Sequence, residues 1–276
     1  MRAEVYDDRQ CLLGEGPLWH PLRGELFWFD IISKKLISKT QEWVFDEHVS
    51  AAGWIDVDRL LIASETALFT FNLRNRSRVH IVDLDADNPL TRSNDGRVDP
   101  RGGFWIGTMG KAAEPNVGAI YRYYRGELRK LFGNITISNS ICFAPSGNVS
   151  YFTDTLSRKI MRLELDAEGW PTHTPSVFVD LTAAGLNPDG SVVDGEGCLW
   201  NAQWGAHRVA RYAPDGAFMS AVEISAAQAS CPAFGGTDLT TLFVTSAADG
   251  LPGEDEGKTF AVNLGITGQA EHQVIL

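Results

Sequence analysis

The chain has 276 residues, 24 Lys and Arg against 35 Asp and Glu, a formal net charge of −11, 44% hydrophobic and 21% charged residues. That balance is ordinary for a globular domain and unlike a disordered chain, and its acidity argues against a nucleic-acid partner, whose phosphates need a basic face. No apolar run approaches the roughly 20 residues of a membrane-spanning helix, and the charged start Met1-Arg2-Ala3-Glu4-Val5-Tyr6-Asp7-Asp8 lacks the apolar core of a signal peptide, so neither a membrane nor export is expected and the reading is a cytoplasmic protein.

In chain order, the first polar-to-apolar stretch is Gly14-Glu15-Gly16-Pro17-Leu18-Trp19, followed by strand-like segments at 25–29 and 35–37. A second unit starts at Ala51-Ala52-Gly53-Trp54 and continues through 59–63 and 67–71, but its first strand carries no carboxylate or amide, so small and aromatic residues are expected to face inward. The third begins at Ser93-Asn94-Asp95-Gly96-Arg97-Val98, with 103–107 and 119–122 behind it. The fourth begins at Ser138-Asn139-Ser140-Ile141-Cys142-Phe143, with 150–153 and 159–162. The fifth is Asn187-Pro188-Asp189-Gly190-Ser191-Val192-Val193, with 198–201 and 208–211, and the last opens near Cys231-Pro232-Ala233-Phe234 with 241–245. Helical periodicity is weak throughout, and 221–229 fits neither period.

Units of roughly 40 to 50 residues made of short strands predict a β-propeller. The count gives six, hence an all-β six-bladed β-propeller occupying 1–276 as a single domain. Residues 3–6 are expected to pair beside 258–262 and so cover the last exposed edge. Cys11, Cys142, Cys198 and Cys231 show no C-x-x-C spacing and lie in or beside apolar runs, which reads as buried free thiols. Trp28, Trp105 and Trp200 recur in second strands and read as packing between blades; Trp204, just beyond such a strand, is placed to line a mouth.

In each of four units an oxygen-bearing side chain (Glu15, Asn94, Asn139, Asp189) precedes an apolar one by four residues (Trp19, Val98, Phe143, Val193). Inner propeller strands line one channel, so these four should converge. Taken alone, Asn-Asp-Gly or Pro-Asp-Gly is turn chemistry; the repetition at one register favours a site. Two carboxylates and two amide oxygens are hard ligands suited to Ca²⁺, Mg²⁺ or Mn²⁺. No G-x-S-x-G elbow is present, and His20, His48, His80, His173, His207 and His272 fall outside the polar register, which removes the anchor of a serine hydrolase.

The ordered set Gly14-Glu15-Gly16-Pro17-Leu18-Trp19, Arg92-Ser93-Asn94-Asp95-Gly96-Arg97-Val98-Asp99-Pro100 with Gly107-Thr108-Met109, Ser138-Asn139-Ser140, Pro188-Asp189-Gly190 and Phe234-Gly235-Gly236 resembles the motif series of the gluconolactonase and regucalcin (senescence marker protein) family across nearly the whole chain. The resemblance implies a hydrolase of small-molecule sugar lactones holding one divalent metal ion, Ca²⁺ foremost, with Zn²⁺, Mn²⁺, Mg²⁺ or Fe²⁺ as alternatives. It implies Glu15, Asn139 and Asp189 as metal ligands, Asp189 also as catalytic base, and Arg92, Asn94 and Glu114 as substrate contacts. Gly16 stands where the family often has Ser, and Ser140 where it often has Gly, departures that bear on substrate preference. A phosphotriesterase-like or arylesterase hydrolase, and a calcium-binding protein without catalysis, are the alternative functions.

Overall fold

A computed structural model of the chain describes residues 1–276. It is all-β, with one 3-10 turn at Thr155–Ser157. After β1 (Glu4–Asp7), the strands β2 (Gly14–His20), β3 (Glu25–Asp30), β4 (Lys35–Ser38) and β5 (Glu42–Val44) form an antiparallel sheet in sequence order. The same four-strand meander recurs as β6 (Val49–Trp54), β7 (Arg59–Ser64), β8 (Ala67–Asn72) and β9 (Arg78–Asp83), then as β10 (Thr91–Val98), β11 (Phe104–Gly110), β12 (Gly118–Tyr124) and β13 (Glu127–Ile135). It recurs again as β14 (Ser138–Phe143), β15 (Val149–Asp154), β16 (Lys159–Glu164) and β17 (Ser176–Asp180).

The remaining strands are β18 (Asn187–Val193), β19 (Leu199–Trp204), β20 (Arg208–Tyr212), β21 (Phe218–Glu223), β22 (Gln228–Gly235), β23 (Thr241–Ala247) and β24 (Thr259–Asn263). With β1 they make one eight-stranded sheet of two meanders, β18 to β21 and β22-β23-β24-β1, joined only by the pair Trp204 and Gln228. The ambiguous segment 221–229 is thus the end of one strand and the start of another. Closure follows the expectation: β1 pairs antiparallel with β24, Val5 opposite Phe260, and covers an edge that would otherwise be free to aggregate.

The first strand of each meander touches the first strand of the next, and β22 returns to β2, giving a propeller-like ring. Apolar clusters fill the gaps between neighbouring meanders, such as Phe27, Phe29 and Leu36 against Leu60, Ile62 and Phe71, and Leu26 and Trp28 against Phe243 where the last meets the first. Each fully buried side chain of this size stabilises the fold by about 1.5–3 kcal/mol.

Two of the recurrent tryptophans carry a polar device besides their packing. Trp105 Nε1 donates to Asp99 (3.0 Å), which also accepts from Arg101 N, Gly103 N and Arg122 Nε (2.7, 3.0 and 2.7 Å). Two meanders later, Trp200 Nε1 donates to Asp194 (2.9 Å), which accepts from Glu196 N, Cys198 N and Arg211. All four cysteines are buried and unpaired with one another. No helix is long and apolar enough to cross a membrane.

Candidate metal centre in the channel

Every innermost strand breaks its register once, near its start. The shifts lie between Glu15 and Leu18, Val49 and Ala51, Ser93 and Gly96, Asn139 and Cys142, Pro188 and Ser191, and Ala229 and Pro232. A bulge inserts an extra residue and re-aims side chains that regular pleating would send into the sheet packing. Glu15 and Asn139 border their bulges, whereas Asn94 and Asp189 lie inside theirs, so the common spacing in sequence becomes a common location in space.

The bulges need unusual backbone at two places. Gly16 has φ +53°, and a side chain there would collide with the Ser50 carbonyl of the neighbouring strand. Ser140 holds φ +59° without being glycine; its hydroxyl donates to Asp189 O and accepts from Ser191 Oγ (3.0 Å), and these bonds hold the left-handed conformation. The two departures from the family pattern therefore sit at the two bulge residues with positive φ.

Glu15, Arg92, Asn94, Asn139, Thr155 and Asp189 line one cavity of about 290 Å³. Its wall above them includes Met109, Ile137 and Trp204. A chain of hydrogen bonds fixes the amides: Arg92 Nη1 donates to Asn94 Oδ1 (2.7 Å), Asn94 Nδ2 to Asn139 Oδ1 (3.0 Å), Asn139 Nδ2 to Thr155 Oγ1 (2.9 Å), and Thr155 Oγ1 to Pro188 O (2.8 Å). Arg92 Nε is buried without a protein partner. Glu15 Oε2 accepts from Gly16 N at 2.9 Å.

Burial, together with the neighbouring Asp95 charge, pushes the Glu15 carboxyl up to about 8. Burial and the charges of Glu15 and Asp95 raise Asp189 well above the carboxylate range. Burial also raises Asp95 to about 6 and lowers Arg92 to about 10. Two carboxylates so placed repel each other, and Arg92 is the one cation lining the cavity. The donors are hard oxygens, two of them anionic, and the electrostatic deficit is one of positive charge, so the residues fit a divalent cation.

A second group of ligand-type side chains, Asp194, Glu196 and Cys198, lies within 4.8 Å elsewhere. It does not suit an ion, because Arg211 already occupies it, donating to both Asp194 and Glu196 at 2.7 Å.

The structure places Glu15, Asn94, Asn139 and Asp189, from four inner strands, on one cavity, with Arg92 beside them. Glu114 stands apart. Its carboxylate turns back to accept from Ala112 N (3.0 Å), and its neighbour Ala113 lines the cavity instead. The second unit offers Ser50, whose hydroxyl donates to Ser93 Oγ (2.8 Å); Trp54, the aromatic residue expected to face inward, lies at the other end of its strand and donates to Glu271 O. Asp95 is buried beside the site, its Oδ2 accepting from Ile141 N (2.7 Å), and Thr155 is a lining residue that the sequence did not suggest. Thr155 belongs to a 3-10 turn with no counterpart in the other units, so no repeat pointed to it.

A ring of antiparallel sheets with an acidic, amide-lined cavity at its axis defines a propeller-type binding site. The chain belongs to the SMP-30/gluconolactonase/LRE-like family, whose model matches residues 13–248. It is 37% identical to an L-arabinolactonase of Azospirillum brasilense over 262 residues, 91% of this chain and 86% of that one. It is 31% identical to a pentonolactonase of Haloferax volcanii, covering 96% of this chain and 95% of the relative. Among solved structures, a calcium-binding regucalcin from Agrobacterium tumefaciens strain C58 superposes with a TM-score of 0.96 at 38% identity, covering 99% of this chain and 97% of that one.

Proposed function

We propose that this chain is a metal-dependent hydrolase that opens sugar lactones to sugar acids, built as one six-bladed propeller over residues 1–276. The blade count is supported by four separate four-stranded sheets and an eight-stranded sheet that divides into two meanders at one residue pair. The observation that carries the function is the meeting of Glu15, Asn94, Asn139 and Asp189, from four inner strands, beside a single arginine in one cavity. Relatives named for lactone substrates supply the substrate class.

Glu15, Asn139 and Asp189 would hold the divalent ion, calcium foremost. When bound, the ion supplies Lewis acidity to a carbonyl oxygen and lowers the pKa of water. Asp189 is the proton carrier. It takes a proton from the water that attacks the lactone carbonyl carbon and returns one to the ring oxygen as the carbonyl carbon–ring oxygen bond breaks, leaving the open acid. Arg92 and Asn94 orient the sugar hydroxyls, the arginine through its planar set of donors, with Glu114 reaching the same substrate only if its loop turns. Leu13, Met109 and Ile137 limit water around the reacting bond.

A pH-indicator screen of aldonolactones, run before chelation, after chelation and after restoring calcium or manganese, tests this reading. Turnover that is lost and restored is the expected result; turnover indifferent to chelation would remove the metal, and none on any lactone would remove the enzyme. Metal binding without turnover would support the second reading, a calcium-binding protein, which the neighbour's description favours.

A further inference from the structure

Beyond β24 the chain makes no further strand, yet residues 264–276 are tied down at several points. Gly268 N donates to Leu239 O (2.8 Å), Gln269 Nε2 to both Phe143 O and Val193 O (2.9 Å), Val274 N to Trp54 O (2.9 Å) and Ile275 N to Gly102 O (2.9 Å). Trp54, Phe143 and Val193 are the last residues of β6, β14 and β18, whereas Asn139 and Asp189 lie near the starts of theirs. The tail therefore crosses the channel end opposite the cavity and forms its floor. It lies outside the region matched by the family.

Within this floor one charged pair is withdrawn from solvent. Glu271 is ion-paired with Arg97, their side chains 7% and 10% exposed. Arg97 belongs to β10, three residues past Asn94, and its other anionic neighbour is Asp95, the carboxylate beneath Glu15 and Asp189. A buried guanidinium that loses its partner is strongly unfavourable. Without Glu271, Arg97 would either turn its charge on Asp95 or remain uncompensated, and both outcomes weaken the negative field of the cavity.

We propose that Glu271 is a positioning residue for the channel's cation site: it holds Arg97 at the floor and offsets its charge, so that Glu15, Asn139 and Asp189 keep the field a divalent ion requires. This rests on the metal reading above. The tail is then more than a strap across the sheets, because its one buried carboxylate sets how much positive charge the channel already contains.

The test is calorimetric titration of Ca²⁺ into the full-length chain as wild type, Glu271→Gln, and the double variant Arg97→Gln with Glu271→Gln. The single variant is expected to bind calcium about tenfold more weakly, the order expected when an uncompensated unit charge acts on a divalent ion through partly wet protein. The double variant removes both charges and should return to within about threefold of wild type. A strap alone predicts that the double variant binds no better than the single one. Unchanged affinity in Glu271→Gln, or a double variant that does not recover or does not fold, overturns the proposal. A wild type that takes up no divalent ion removes the metal reading and this inference together, whereas equal binding by wild type and Glu271→Gln removes only the inference.

Discussion

Glu15→Gln should make the metal-free protein more stable while weakening its response to metal. The Glu15 carboxyl is pushed from its ordinary 4.5 up to about 8, first by burial and then by the charge of Asp95. With the folded pKa above the unfolded one, the folded chain binds the extra proton; this stability contribution is fully present below about pH 4.5 and is lost as pH rises through about 8. At pH 7 the resulting penalty is about 3 kcal/mol, and at pH 5 it is below about 1 kcal/mol. An isosteric amide carries no such penalty, so in chelator at pH 7 the variant should melt roughly 5–10 °C above wild type, and the gap should nearly close at pH 5. Calcium should compress or reverse the order, because wild type at a hundredfold excess over Kd gains about 2.7 kcal/mol and the variant, short of one anionic ligand, gains less. Thermal scans at both pH values, with chelator and with calcium, read all of this. A variant that melts at or below wild type in chelator at pH 7, or that gains as much from calcium, would refute the picture of Glu15 as a carboxylate held for a cation.

Asp189→Asn keeps one oxygen for the ion but cannot accept a proton, so kcat should fall on the order of 10² to 10⁴ in protein shown by metal analysis to be loaded; near-normal kcat in loaded protein assigns the base elsewhere. Arg92→Ala should reduce kcat/KM more for a polyhydroxylated lactone than for a plain alkyl lactone, and equal losses would make Arg92 structural. Gly16→Ala forces a side chain into positive φ and against Ser50 O, and denaturant titration should show a loss of roughly 1–3 kcal/mol or more; a neutral result would mean the bulge is free to relax.

Much of this arrangement is written in the sequence because a propeller repeats its chemistry. Asn94, Asn139 and Asp189 each resemble an ordinary turn residue, and only their recurrence at one phase separated them from turns. The paired tryptophans Trp105 and Trp200 were legible for the same reason, although their aspartates six residues earlier were not read as partners. What the sequence hides is what does not repeat: Thr155 in a single 3-10 turn and a C-terminal floor that has no strand pattern at all. The Glu114 assignment came from the family resemblance, and a matching position does not determine that a carboxylate turns toward its own loop.

The molecule also supplies its own control for the channel carboxylates. Where this fold buries an aspartate for structure, it satisfies it: Asp99 and Asp194 each take two backbone N–H groups, an indole N–H and an arginine. Glu15 and Asp189 are nearly as deeply buried, at 3% and 4% exposure, yet Glu15 accepts one backbone N–H, from Gly16, and for Asp189 the Gly190 backbone is the one hydrogen-bonding group that favours its ionised form. A buried carboxyl without such donors is costly to keep ionised, which is why both groups are shifted upward. The same chain thus has a working solution to the buried carboxylate and does not apply it at the channel axis, where two such groups face each other. Their free lone pairs are best explained as ligands for a cation, and the stabilisation predicted for metal-free Glu15→Gln measures how much fold stability is given up to keep them.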